Sequence, residues 1–146
     1  MKRQTKADKF IKTFNYWCGQ LKLDKNIPCY KDNRYGCCAA VIDYNTKHPK
    51  IIYNAKKLAH LDISFIICNV FHEIAHLKYK LPYKTEKQQI KAERNAERYA
   101  LRMLLKHYPK LYKRNNKLMR ERINKPYWRR KNELPYKILS KIKEYQ

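Results

Sequence analysis

The segment Asn69-Val70-Phe71-His72-Glu73-Ile74-Ala75-His76-Leu77 holds two histidines four residues apart. On an α-helix that spacing sets both imidazoles on one face, one turn apart, where they can grip a single cation. Glu73 lies about 100° around the helix from His72, beside the metal-facing side and not behind it. Ile67, Val70, Phe71, Ile74 and Leu77 fall elsewhere on the helix as an apolar stripe that would anchor it in a core. The competing view is a helix that holds one core and one surface histidine by chance. The agreement between the apolar stripe and the polar site argues against it.

Working outward, Asp62 is placed to cap a helix running from Ile63 to about Lys80, with Pro82 interrupting it. The apolar run Ile63 to Cys68 fits a buried helix. Thr85 is placed to cap the next helix, with Glu86 in its first turn, and Pro109 to end it after His107. Two further helices are expected over 111–124 and 133–145, separated by Pro126 and Pro135. Upstream, Phe10, Ile11, Phe14, Trp17, Cys18 and Leu21 form a helical stripe within residues 5–21, and Asn26-Ile27-Pro28 breaks it. Tyr35 to Tyr44 is β-rich, residues 45–49 read as a turn, and residues 50–54 as a second strand. The pattern predicts an α+β chain: a small antiparallel sheet, the histidine helix, then an acid-bearing helix. Residues 1–108 form the expected domain and 109–146 a basic helical extension.

A zinc site needs a third protein ligand and one open position. The pattern H-E-x-x-H-x-x-G-x-x-H is excluded, because Tyr79 and Pro82 stand where its Gly and third His would be. The only later histidine, His107, is thirty residues on and at a helix end. Glutamate is the better candidate. In Lys91-Ala92-Glu93-Arg94-Asn95-Ala96-Glu97-Arg98-Tyr99-Ala100, Glu93 and Glu97 share a face. Ala96 and Ala100 lie near that face and would allow a close approach to the histidine helix. Neighbouring Glu–Arg pairs on a solvated face are the bland alternative, but sequence neighbours do not face each other on a helix. Glu93 is the preferred third ligand, with Glu97 held as the other choice.

These residues resemble the gluzincins, in which H-E-x-x-H is followed by a helix bearing E-x-x-x-D or E-x-x-A-D/E. The stretch E-x-x-A-x-x-Y-A-L-x-x-L is also similar to the signature of ImmA/IrrE-type peptidases, although Asn95 and Glu97 stand where that signature has Glu and Asn. The layout looks like minigluzincins and SprT-like proteases too, but the third His usual in SprT-like proteins is missing. The resemblance covers about residues 35–106. It implies a zincin-like fold and one Zn2+ ion held by His72, His76 and Glu93. It also implies a zinc-dependent peptidase in which a zinc-bound water attacks the peptide bond with Glu73 as general base. Glu97 would orient a ligand histidine, and Asn69 is expected to support the ligands from behind. Tyr79, Tyr83, Tyr99 and His107 are the candidates for stabilising the oxyanion. The strand at 50–54 is expected to offer an exposed edge to a peptide substrate.

The whole chain of 146 residues carries 35 Lys and Arg against 12 Asp and Glu, a formal charge of +23. Such an excess favours polyanionic partners or simply solubility. Residues 106–146 hold fourteen bases and three acids, with Tyr108, Tyr112, Tyr127, Trp128 and Tyr136 interleaved. Arg114, Arg120, Arg122, Arg129 and Arg130 are the candidate nucleic-acid contacts, which would direct a peptidase to a DNA-associated protein; the competing view is two amphipathic helices that pack these aromatics on the domain and leave Lys in water. A basic binding module that keeps a zinc site without turnover is the alternative function. Five cysteines with no C-x-x-C spacing argue against a disulfide framework or a thiolate zinc site, and predict mostly buried, reduced thiols. No signal segment or membrane-spanning run is evident in the sequence, so a cytoplasmic location without membrane contact is expected.

Overall fold

The computed structural model describes residues 3–23 and 27–124, with backbone only for 116 and 118–124. Helix α1 (Lys6–Gln20) opens on a capping box, Thr5 accepting from the Asp8 N–H while the Asp8 carboxylate accepts from the Thr5 N–H. It ends at left-handed Lys22, where Leu23 N–H reaches Cys18 O at 2.9 Å and Lys22 N–H reaches Gly19 O at 3.2 Å. This is a Schellman closure with lysine where glycine is usual. The helix therefore stops before the Asn26-Ile27-Pro28 breaker is reached.

Three short strands follow: β1 (Cys29–Lys31), β2 (Ala39–Ile42) and β3 (Lys50–Tyr53). Strands β2 and β3 form the expected hairpin, antiparallel, with Val41 opposite Ile51. Strand β1, which the sequence pattern did not reveal, pairs with β3 in parallel, Cys29 opposite Ile51. The sheet order is β1-β3-β2, so the sheet is mixed and not antiparallel throughout. This also corrects the expectation that residues 50–54 form an exposed edge. Strand β3 is central and its Ile51 and Ile52 are fully buried; β1 and β2 are the edges. Ile52, Ala40, Ile42 and Tyr35 make a small cluster, while Ile51, Val41 and Ala39 join the main core.

Asn54 ends β3 and caps α2 (Ala55–Ala59). Its buried amide donates to Asn33 O at 3.0 Å and Tyr35 O at 2.9 Å, and its oxygen accepts from Lys57 N–H. Helix α3 (Ile63–Tyr79) starts at the Asp62 cap and ends at left-handed Lys80, two residues before Pro82. Every residue from Val70 to Leu77 is buried. The stripe is thus a nearly complete apolar cylinder with a polar inset, as expected for a helix walled in on most sides. Helix α4 (Glu86–His107) opens on a Thr85–Gln88 capping box and lies along α3, with Ala92, Ala96 and Ala100 essentially without exposure. These small side chains let the two backbones close up. Helix α5 (Pro109–Asn124) kinks at Asn115. It returns to the core through buried Tyr112, while Asn115 and Arg114 hydrogen-bond to Asp62 at the start of α3.

The fold is therefore mixed α+β, with five helices and one three-stranded mixed sheet among the described residues. The helix expected over 133–145 lies outside them. None of the described helices is long and apolar enough to cross a membrane. All five cysteines carry free thiols; Cys18 and Cys68 are buried, and Cys29, Cys37 and Cys38 only partly so.

Candidate metal centre

Helix α3 presents His72 and His76 one turn apart, and the close packing of α4 brings Glu93 opposite them. The Nε2 atoms of the two histidines lie 3.2 Å apart. Glu93 Oε2 stands 2.8 Å from His72 Nε2, and Glu93 Oε1 stands 3.4 Å from His76 Nε2. A tetrahedron built on metal–ligand bonds of about 2.0 Å has edges of about 3.3 Å, which the Nε2–Nε2 separation matches, while the Glu93 carboxylate turns one oxygen to each histidine. Two imidazole nitrogens also face each other, an arrangement that a shared cation satisfies better than a shared proton. The three residues form a group that could hold a metal ion.

Around this triangle the supports are polar and specific. The Tyr83 hydroxyl donates to Glu93 Oε1 at 2.6 Å. Tyr44, at the end of the β2 hairpin arm, stacks its ring on His76 at 5.5 Å and ties its hydroxyl to Leu81 O at 2.9 Å. Glu97 Oε1 stands 3.4 Å from His72 Nδ1, close but not aligned as a hydrogen bond, and that buried nitrogen is otherwise without a partner. Glu73, on α3 beside His72, is buried and accepts a 2.6 Å hydrogen bond from the Val41 N–H of β2.

Electrostatics follow from crowding five ionisable groups into one buried space. Burial alone would push His72 down, but the charge and hydrogen bond of Glu93, helped by Glu97, outweigh it and hold His72 well above its usual value. Burial would raise Glu93, yet His76 and His72 overcome it and hold the carboxyl well below its usual range. Glu73 behaves oppositely. Its burial outweighs the attraction of His72 and His76 and the Val41 hydrogen bond, so its carboxyl is raised. One carboxylate is held charged as a ligand would be, and the other is made more basic. Tyr44 and Cys37 are both raised, by burial first, with the negative charges of Glu73 and Glu93 adding to it. Both groups therefore border the site in neutral form.

The geometry sorts the remaining candidates. Glu97 lies behind His72, where an orienting group belongs. Asn69 does not join it: the side chain is half-buried and makes no hydrogen bond among the described residues. Of the oxyanion candidates, Tyr83 is at the site. Tyr79 and Tyr99 pack edge-to-face on each other at 5.7 Å, with the Lys78 ammonium over both rings, away from the histidines. Tyr99 is two residues past Glu97 and so faces away from it on the helix. His107 packs its ring at a tilt against Trp17 at 4.5 Å, at the far end of α4, and is neither ligand nor oxyanion donor. Arg114 is engaged with Asp62. Arg120 and Arg122 fall where only the α5 backbone is described, and Arg129 and Arg130 lie outside the described residues. Sequence reasoning missed Tyr44 and the Val41 N–H. Neither leaves a signal in the sequence, because both reach the site through hairpin placement.

No protein-family model, curated protein or solved structure matches the chain significantly.

Proposed function

We propose that this protein is a zinc-dependent peptidase of gluzincin type, with His72, His76 and Glu93 as the metal ligands and Glu73 as general base. The observation that carries the reading is the convergence of two imidazole nitrogens and one carboxylate, with ligand atoms all within 4.8 Å of one another, and with a second, more basic carboxylate beside His72 on the histidine helix. Two nitrogens and one oxygen favour zinc among the common divalent ions. Zinc bound there would supply Lewis acidity, polarising a scissile carbonyl and making water acidic near neutral pH.

The chain's own groups account for the rest. Glu73 takes the proton of the attacking water and passes it to the leaving amine. Its Oε2 is pinned by Val41 N–H, which leaves Oε1 free to face the reacting atoms. The same hydrogen bond shows which way β2 is turned: Val41 N–H points away from β3, so Val41 C=O does too. With Val41 N–H taken by Glu73, the Val41 C=O is what the outer edge of β2 can offer an extended peptide next to the base, and it is this strand and not β3 that would align substrate. Tyr83, held on Glu93, is the nearest phenol able to turn toward a developing oxyanion.

The test is Glu73→Gln in zinc-loaded protein, assayed on a peptide library. Hydrolysis falls by about 10²–10⁴-fold while one zinc per chain is retained. A zinc-loaded parent protein that cleaves no peptide, or a chain that takes up no stoichiometric zinc, overturns the reading.

A further inference from the structure

The face of α4 that turns away from the metal centre carries a row of cations. Lys87, Lys91, Arg98, Arg102 and Lys106 recur every four or seven residues and are all exposed. At 100° per residue they occupy one stripe, opposite the face that holds Ala92, Ala96 and Glu93. The stripe runs about 28 Å along the helix. None of the five makes an ion pair or a side-chain hydrogen bond among the described residues. Arg94 lies on the same side but has contacts of its own. The acids of α4 are withheld from this face: Glu86 sits at the helix start, and Glu93 and Glu97 point inward.

We infer that this outer face of α4 is a docking surface for the phosphate backbone of duplex nucleic acid. It is a different surface from the C-terminal tail, and independent of whether the metal centre hydrolyses peptides. A solubilising surface needs no order, and acids are normally interspersed within it. Here the helix fixes five like charges in line, at the cost of mutual repulsion between i and i+4 neighbours. An opposing line of charge removes that cost. Duplex DNA provides one phosphate per about 1.7 Å and releases condensed counterions when neutralised. Single strands are a poorer match, because the stripe has no exposed aromatic ring on which bases could stack; Tyr99 is buried. An acidic polypeptide would offer isolated exposed ion pairs, each worth little.

The test follows binding of the full-length, zinc-loaded protein to a random-sequence duplex by fluorescence anisotropy, between about 50 and 200 mM salt. The triple variant Lys91→Gln/Arg98→Gln/Arg102→Gln makes the slope of log K against log salt shallower by about 2.7, and weakens binding about 100-fold at physiological salt. A control triple, Lys12→Gln/Lys47→Gln/Lys56→Gln, removes the same charge from scattered exposed sites and leaves the slope nearly unchanged. Circular dichroism and zinc content verify that both triples are folded. Equal losses from the two triples mean diffuse attraction only and overturn the assignment. So does binding to polyglutamate as tight as to duplex at equal salt.

Discussion

Two flanks of helix α3 are built on opposite principles. On one, Phe71 meets the edge of Trp17 at 5.1 Å and lies 6.1 Å from Tyr108, with Phe10, Phe14 and Leu104 buried in the same core. Polar needs there are few and met: the Trp17 indole N–H donates to the Tyr108 hydroxyl at 3.1 Å. On the other flank, His72, Glu73, His76, Glu93 and Glu97 share one buried space, with two nitrogens facing each other and a third, His72 Nδ1, near Glu97 but without an aligned hydrogen bond. The first arrangement lowers the free energy of the fold. The second raises it unless a cation arrives, because buried charge is costly when only partly compensated. Adjacent residues of one helix, Phe71 and His72, thus serve stability and chemistry separately.

If that division is right, mutations on the two flanks part ways. Phe71→Ala should cost about 3–5 kcal/mol in denaturant unfolding, while the folded fraction keeps its zinc affinity. Ala96→Leu should cost about 1–3 kcal/mol by overpacking the α3–α4 contact. It should also weaken zinc binding in the folded protein, since it moves Glu93 away from the histidines; unchanged affinity in a calorimetric titration would show that the α3–α4 contact does not set the metal centre. Tyr83→Phe removes only the hydroxyl on Glu93. Its expected signature is a 10–100-fold loss of zinc affinity with little change in unfolding free energy.

The smallest effect is on pH dependence after chelation. His72 is raised, so its pairing with Glu93 contributes fully below its usual value of 6.5 and is lost as pH climbs through the raised value. Glu93 is lowered, so its contribution is present above its usual 4.5 and is lost as pH falls through the lowered value. Glu73 is raised as well, so its contribution is present below its usual 4.5 and is lost as pH climbs through the raised value. Metal-free protein should therefore lose melting temperature toward alkaline pH, as both raised groups give up their protons. Added zinc should stabilise increasingly over that alkaline range, because the ligands must shed protons to bind. A flat melting profile in chelator would show that the His–Glu cluster is not coupled as described.

Helices α1, α3, α4 and α5 were legible because each carries a local signal, whereas the five-residue α2 is too short to show a period. Asp62 and Thr85 cap where their hydroxyl or carboxylate is needed, and the apolar spacing of α3 and α4 matches the helical period. Glu93 was legible for a related reason: an acid beside Ala96, on a helix otherwise rich in Lys and Arg, fits burial better than exposure. Strand β1 was not legible. Three residues hold no measurable alternation, and parallel pairing with β3 depends on residues 22 positions away. Missing β1 also reversed the assignment of the sheet edge, since β3 becomes central only once β1 lies beside it. Asn69 and His107 were placed by chemistry alone, without knowledge of which way each side chain faces.

Local pattern was enough to set the four longer helices, the Asp62 and Thr85 caps and the side on which His72, Glu73 and His76 lie, because a helix relates residue number to direction through a fixed angle. Packing between elements supplied the rest: Glu93 facing both histidines, Tyr83 and Glu97 bracing them, and Val41 holding the base. Those contacts join separate elements, and their distances depend on how closely whole surfaces pack, a quantity no local period encodes.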